Sequence, residues 1–177
     1  MKHILITGGA GFIGSNTVQY ALKLGVKVTV LDSFENAAVS KDSLEKLGVN
    51  VHEMDIQDRQ SLEQLNDEFD AIIHLAAQVS VPKSIQDPSR NHAVNVDGTE
   101  HVLQLAQRND VKRFIFASSS AVYGDCKTMP LEEGYGGELQ SPYAQSKLEI
   151  ENRIDAKFQN GSEYLSCLLY TSPSPRD

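Results

Sequence analysis

Tryptophan is absent from the chain, only two cysteines occur, and basic residues are outnumbered, 16 Lys and Arg against 24 Asp and Glu, for a formal net charge of -8. Each shortage excludes something. Cys126 and Cys167 have neither the spacing of a metal site nor the number for a disulfide framework, so a reducing compartment is the default. The acidic balance argues against a nucleic-acid footprint, which needs a clustered basic face. No stretch approaches the roughly 18 apolar residues of a membrane helix. The start, MKHILITGG, carries too short an apolar run for a signal peptide. A cytoplasmic protein is the expectation. The five histidines form no constellation, so no metal is expected.

What is present is alternation. At 177 residues the chain suits one domain with a substantial core. HILIT (3–7), KVTVL (27–31), VNVHEM (49–54), DAIIHL (70–75), KRFIFAS (112–118) and EYLSCLL (163–169) read as buried strands. Helical periodicity fills residues 12–25, 58–69, 91–109 and 141–158, with a short helix or turn at 39–48. Gly25 is placed to stop the first helix and Asp58 to cap the second. This order predicts an α/β fold: a doubly wound, mostly parallel sheet of three-layer Rossmann type, spanning 1–169 as one domain. Residues 170–177 read as a tail with no structural element. Ligands of such folds sit beyond the carboxyl ends of the strands.

TGGAGFIG joins the first strand to the first helix. Gly8 permits the turn, Gly11 lets backbone amides approach a pyrophosphate, and Gly14 allows close helix packing, with the anion at the helix N-terminus. Any tight strand–helix turn could use such glycines. Asp32, however, ends the second strand about 20 residues further on, where a carboxylate accepts from ribose hydroxyls. Ser33 follows it rather than a cation, so NAD is expected over NADP. In SPYAQSK, Tyr143 and Lys147 are four apart and share a helix face. A lysine ammonium beside the phenol, and the positive charge of an oxidised nicotinamide, would stabilise the phenolate and bring a base of pKa about 10 toward neutrality. On spacing alone, two surface residues explain the pair better, since such pairs occur by chance on many helices.

Together TGGAGFIG, LD (31–32), DI (55–56), HLAA (74–77), NVDGT (95–99), SSSAVYG (118–124) and SPYAQSK resemble the extended short-chain dehydrogenase/reductase superfamily, in its nucleotide-sugar epimerase/dehydratase branch. The resemblance covers nearly all of the chain to about residue 165. It implies NAD, with Phe12, Ile13, Asp32, Asp55, Ile56, Leu75, Ala76 and Ala77 against the cofactor beside the glycines, Asp55 and Ile56 flanking the adenine. It implies a catalytic set of Ser119, Tyr143 and Lys147, Ser119 being found by aligning on VYG. Ser119 and Tyr143 would touch the substrate, and Lys147 would also hold the nicotinamide ribose.

The family's 4,6-dehydratases resemble one another in an acidic pair, or at least a glutamate, before the VYG-like motif; here Ser120 and Ala121 stand there, favouring 4-epimerisation or simple oxidation. AAQVSVPKSIQDP resembles 4-epimerases acting on UDP-glucose or UDP-N-acetylglucosamine, implying a UDP-hexose substrate. Residues 125–140 read as a mobile flap or an exposed loop. The family's next motif and its C-terminal substrate lobe are not matched after Leu169, and a C-terminally truncated fragment is expected, whose own activity is in doubt. The family's pairing of the helices near 91–109 and 141–158 leaves a homodimer open. Two other readings stand beside the epimerase: a dehydratase or reductase of the same family, and a non-catalytic NAD-binding module.

Overall fold

In the computed structural model, residues 2–65, 67–132 and 136–157 are described in full and 163–169 as backbone. Six parallel strands form one sheet: β1 (His3–Thr7), β2 (Lys27–Asp32), β3 (Asn50–Glu53), β4 (Ala71–His74), β5 (Arg113–Ser119) and β6 (Glu163–Leu169), in the order β3-β2-β1-β4-β5-β6. Register runs from Ile4 beside Val28 and Ala71 through Phe114 beside Ile72 and Tyr164. The winding direction reverses between β1 and β4, which opens a crevice past their carboxyl ends. All six expected strands form, within a residue or two at their ends.

The sheet is buried on both faces because its strands alternate apolar side chains into two cores. Ile4, Ile6, Val28 and Val30 pack with Val18 and Ala21 of α1 (Phe12–Lys23) and Leu44 of α2 (Lys41–Glu45). On the other face Leu5, Leu31, Ile72, Phe114 and Phe116 meet Val102 and Ala106 of α6 (Thr99–Arg108) and Ile150 and Ile154 of α7 (Pro142–Lys157). Each such Ile, Leu or Phe contributes roughly 1.5–3 kcal/mol over an exposed one.

The helices depart from expectation more than the strands do. Gly25 ends α1 at φ 73°, as its placement predicts. Asp58 caps α3 by accepting from Ser61 N at 3.1 Å, but α3 runs only Arg59–Glu63. Arg108 of α6 caps its end, donating to the carbonyls of Leu62, Glu63 and Leu65. A short α4 (Val81–Gln86), capped by Ser80, and α5 (Pro88–His92), capped by Asp87, were not anticipated; both have proline at the first turn, where its missing N–H costs nothing. Residues 93–98 then form a π-helical turn before α6, so the expected helix over 91–109 starts earlier and is interrupted. The tail at 170–177 lies outside the described residues. No helix among the described residues is long and apolar enough to cross a membrane.

Candidate active site

Past β1 the chain turns at Gly8, whose φ is 68°. A Cβ on Gly8 would stand 2.7 Å from Ala76 N, so this glycine seats the loop on the strand-end segment after β4. A Cβ on Gly14 would lie 2.6 Å from Gly9 Cα, and one on Gly11 would meet only Gly8 O, at 3.3 Å. Thus Gly14 serves packing onto the loop itself rather than onto the strand, and Gly11 remains the open position. A Cβ on Gly9, which the motif reading passed over, would stand 2.7 Å from Val30 Cγ2 of β2. Among the described residues no side chain caps the N-terminus of α1, and no acidic residue sits in its first turn. That end carries the partial positive charge of an unneutralised helix dipole.

Asp32 closes one side of the loop. Its Oδ2 accepts from Ala10 N at 2.9 Å and its Oδ1 from Phe34 N at 2.8 Å. Each carboxylate oxygen has a second lone pair for a diol. Phe12 and Ile13, at the start of α1, are exposed, Phe12 at 76%. Asp55 is exposed too, its carboxylate accepting from its own turn at Gln57 N. Ile56 is buried instead, under Gly98, and its carbonyl accepts from His101 Nδ1 at 3.0 Å. Leu75, Ala76 and Ala77 follow β4, with Leu75 N donating to Thr7 O and Ala76 N to Thr7 Oγ1.

Across the crevice, β5 and α7 bring Ser119, Tyr143 and Lys147 together. Tyr143 is 8% and Lys147 4% exposed. Lys147 Nζ donates to Ala117 O at 2.9 Å and lies 4.6 Å from the Phe116 ring centre, but 5.9 Å from that of Tyr143. Burial lowers the ammonium's pKa to about 8. The phenol does not behave as the sequence suggested. Burial raises its pKa above the usual value, and only a side-chain hydrogen bond with Ser119 pulls it back. The ammonium is turned to a carbonyl and an aromatic face, so the protein alone keeps Tyr143 protonated.

Behind these groups runs a buried polar chain that the sequence reading missed. Thr99 Oγ1 donates to Asn95 O at 2.6 Å, so it accepts from His74 Nε2, at 2.9 Å. His74 Nδ1 is then the acceptor for Thr7 Oγ1, at 2.7 Å, and Thr7 in turn accepts from Ala76 N. The ring stacks on Phe116 and stays neutral, burial and then the charge of Lys147 depressing its pKa to about 3. Asn95 spans the other gap. Its Oδ1 accepts from Gln78 N, while Nδ2 donates to Gln78 O and Ser146 Oγ; Ser146 donates to Tyr143 O. The NVDGT motif was the available signal for Asn95 and Thr99, but it named no partners.

The described ends of the 125–140 segment are pinned together, Asp125 N to Glu138 O at 3.1 Å and Gly137 N to Tyr123 O at 2.8 Å. Among the described residues no cluster of His, Cys, Asp or Glu is fit to hold a metal ion.

A parallel sheet in this order, with a glycine loop at the reversal point, is a Rossmann-type fold. The chain belongs to the NAD dependent epimerase/dehydratase family, whose model matches residues 4–176. It is 38% identical to UDP-glucose 4-epimerase of Mus musculus over 167 residues, covering 87% of this chain and 48% of the relative, and 36% identical to the Homo sapiens enzyme, covering 98% and 54%. Among solved structures it superposes on Thermus thermophilus UDP-glucose 4-epimerase in complex with NAD at TM-score 0.84 and 33% identity, over 93% of this chain and 53% of that one. The Thermotoga maritima UDP-glucose 4-epimerase with UDP-glucose gives 0.85 and 31%, over 93% and 54%. The chain spans about half the length of the curated relatives it matches.

Proposed function

We propose that this chain is the cofactor-binding and catalytic portion of an NAD-dependent nucleotide-sugar 4-epimerase. The observation that supports the reading best is the hydrogen bond between Ser119 and Tyr143, with Lys147 Nζ 5.9 Å from the phenol ring, in a chain whose glycine loop is tied to Asp32 through Ala10 N. The residues fit NAD: the uncapped α1 terminus suits a pyrophosphate, Gly11 leaves space for it, and Asp32 suits a ribose diol. Phe12, Ile13, Asp55, Ile56, Leu75, Ala76 and Ala77 would line it. When bound, NAD supplies the hydride acceptor and a positive charge near the phenol.

The chain's own groups then divide the proton work. Tyr143 Oη, as the phenolate, takes the proton of the sugar's 4-hydroxyl and later returns it. Ser119 Oγ hydrogen-bonds both that oxygen and the phenol, keeping the proton's path short. Lys147 acts here as the ammonium, although burial lowers its pKa to about 8. Ala117 O takes one of its three donors, leaving others for the nicotinamide ribose. Ser120 and Ala121, which lie in a single 3-10 turn, offer no carboxylate for expelling water from the sugar. The relatives named for UDP-glucose epimerisation support a UDP-hexose substrate.

In the protein that carries this chain, Tyr143→Phe should lower interconversion of UDP-glucose and its C4 epimer by about 10³-fold, within the range of roughly 10²–10⁴ that a positioned proton-transfer group contributes. NAD affinity should stay within about threefold. Turnover at the unmutated rate would remove Tyr143 from the mechanism.

A further inference from the structure

The first turn of α7 has to satisfy its amides while holding Tyr143 still. Pro142 has no N–H. Ala144 N donates to Ser141 Oγ at 3.1 Å, an ordinary cap from the preceding residue. Tyr143 N reaches outside its own helix. It donates to Ser84 Oγ at 3.2 Å, and Ser84, in α4, is fully buried. Ser84 donates its own proton to Val81 O at 2.7 Å, so its hydroxyl is oriented to accept. The carbonyl of Tyr143 is held as well, by Ser146 Oγ at 2.8 Å. The backbone on both sides of the phenol is thus tied, one side to α4 and the other, through Ser146 and Asn95, to the segment after β4.

We infer that Ser84 is a positioning residue for Tyr143: its buried hydroxyl fixes the start of α7 on α4 and so sets where the phenol stands relative to Ser119. The inference rests on the epimerase reading for its effect on turnover, though not for its geometry. Three facts make the assignment more than a packing contact. Ser84 Oγ is the acceptor for this amide, the residue has no exposed surface, and its proton is committed elsewhere. A buried N–H without an acceptor is costly, so removing the hydroxyl would let the first turn of α7 shift toward another acceptor. Catalysis by a positioned phenol is sensitive to displacements of an ångström.

The test uses Ser84→Ala, which deletes the acceptor, and Ser84→Thr, which keeps it. In the isolated chain, amide hydrogen exchange should show Tyr143 N–H protected, and Ser84→Ala should speed its exchange by about tenfold or more relative to Ile150 N–H in the same helix. An unprotected Tyr143 amide in the unmutated chain would overturn the proposal without any variant. In the protein that carries this chain, Ser84→Ala should lower kcat roughly 10–100-fold with KM and NAD affinity within about twofold, and Ser84→Thr should restore most of it. The acidic limb of the pH–rate profile, where the phenolate is lost, should also move in Ser84→Ala, because the phenol's contact with Ser119 changes. Equal kcat in Ser84→Ala, or equal losses in Ala and Thr, would overturn the positioning role. Failure of the epimerase reading would show differently: the unmutated protein would not interconvert UDP-sugars, while the exchange result would still decide the amide contact.

Discussion

The β1–α1 end of the site and the β5–α7 end achieve position by opposite means. At the first, side chains are removed: Gly8 and Gly14 let backbone approach backbone, and Gly9 makes room for Val30. At the second, side chains are added, and Asn95, Ser146, Ser84 and His74 carry hydrogen bonds through a buried interior. The first design tolerates no added atom. The second tolerates no missing partner, but a substitute with the same donors and acceptors can serve.

This contrast can be broken in graded steps. Gly14→Ala should have the largest effect on the fold. Its methyl group would press on Gly8 and Gly9, costing about 1–3 kcal/mol or more as overpacking, read as a lower urea midpoint with NAD binding lost in parallel. A fully stable, NAD-binding Gly14→Ala chain would show that the loop is not closely seated. Asp32→Ala comes next. It removes the acceptor for Ala10 N and Phe34 N as well as the proposed diol contact, so NAD affinity should fall by at least about tenfold and NADP affinity far less. Equal weakening of both, by calorimetry, would refute the ribose assignment.

The smallest effect sharpens the other side. His74→Gln keeps one acceptor for Thr7 and one donor for Thr99 but cannot titrate. In the native chain His74 takes up a proton only near pH 3, whereas unfolded it does so near 6.5. The unfolded state therefore binds more protons across that window, and stability falls as pH drops from about 6.5 toward 3. Above 6.5 the two states match and His74 contributes no pH dependence. Thermal melts should show the His74→Gln chain close to native stability at about pH 7, with a shallower loss between about pH 6.5 and 4. Parallel melting curves for the two proteins would mean that His74 is not what senses acid.

The same contrast explains what could be read in advance. Gly8, Gly14, Asp32, Tyr143 and Lys147 announce themselves because their constraint is local: a turn at positive φ, a strand end, one helix face. The sheet was legible for the same reason, since a run such as HILIT has only one way to be buried on two sides. Ser84 and Asn95 carry no such mark, because their partners lie 59 and 17 residues away. Nor could spacing reveal that Lys147 turns to Ala117 O and leaves the phenol's acidity to burial. Spacing likewise does not show that Arg108 caps the end of α3 from another helix.

That cap has a reach of its own. Arg108 holds the carbonyls at 62, 63 and 65, and about two turns earlier in α6, His101 holds that of Ile56. The stretch from Ile56 to Leu65 is therefore riveted at both ends to a single helix. A spin label on Gln60, midway between the rivets, should then be no more mobile than one on the outer face of α6.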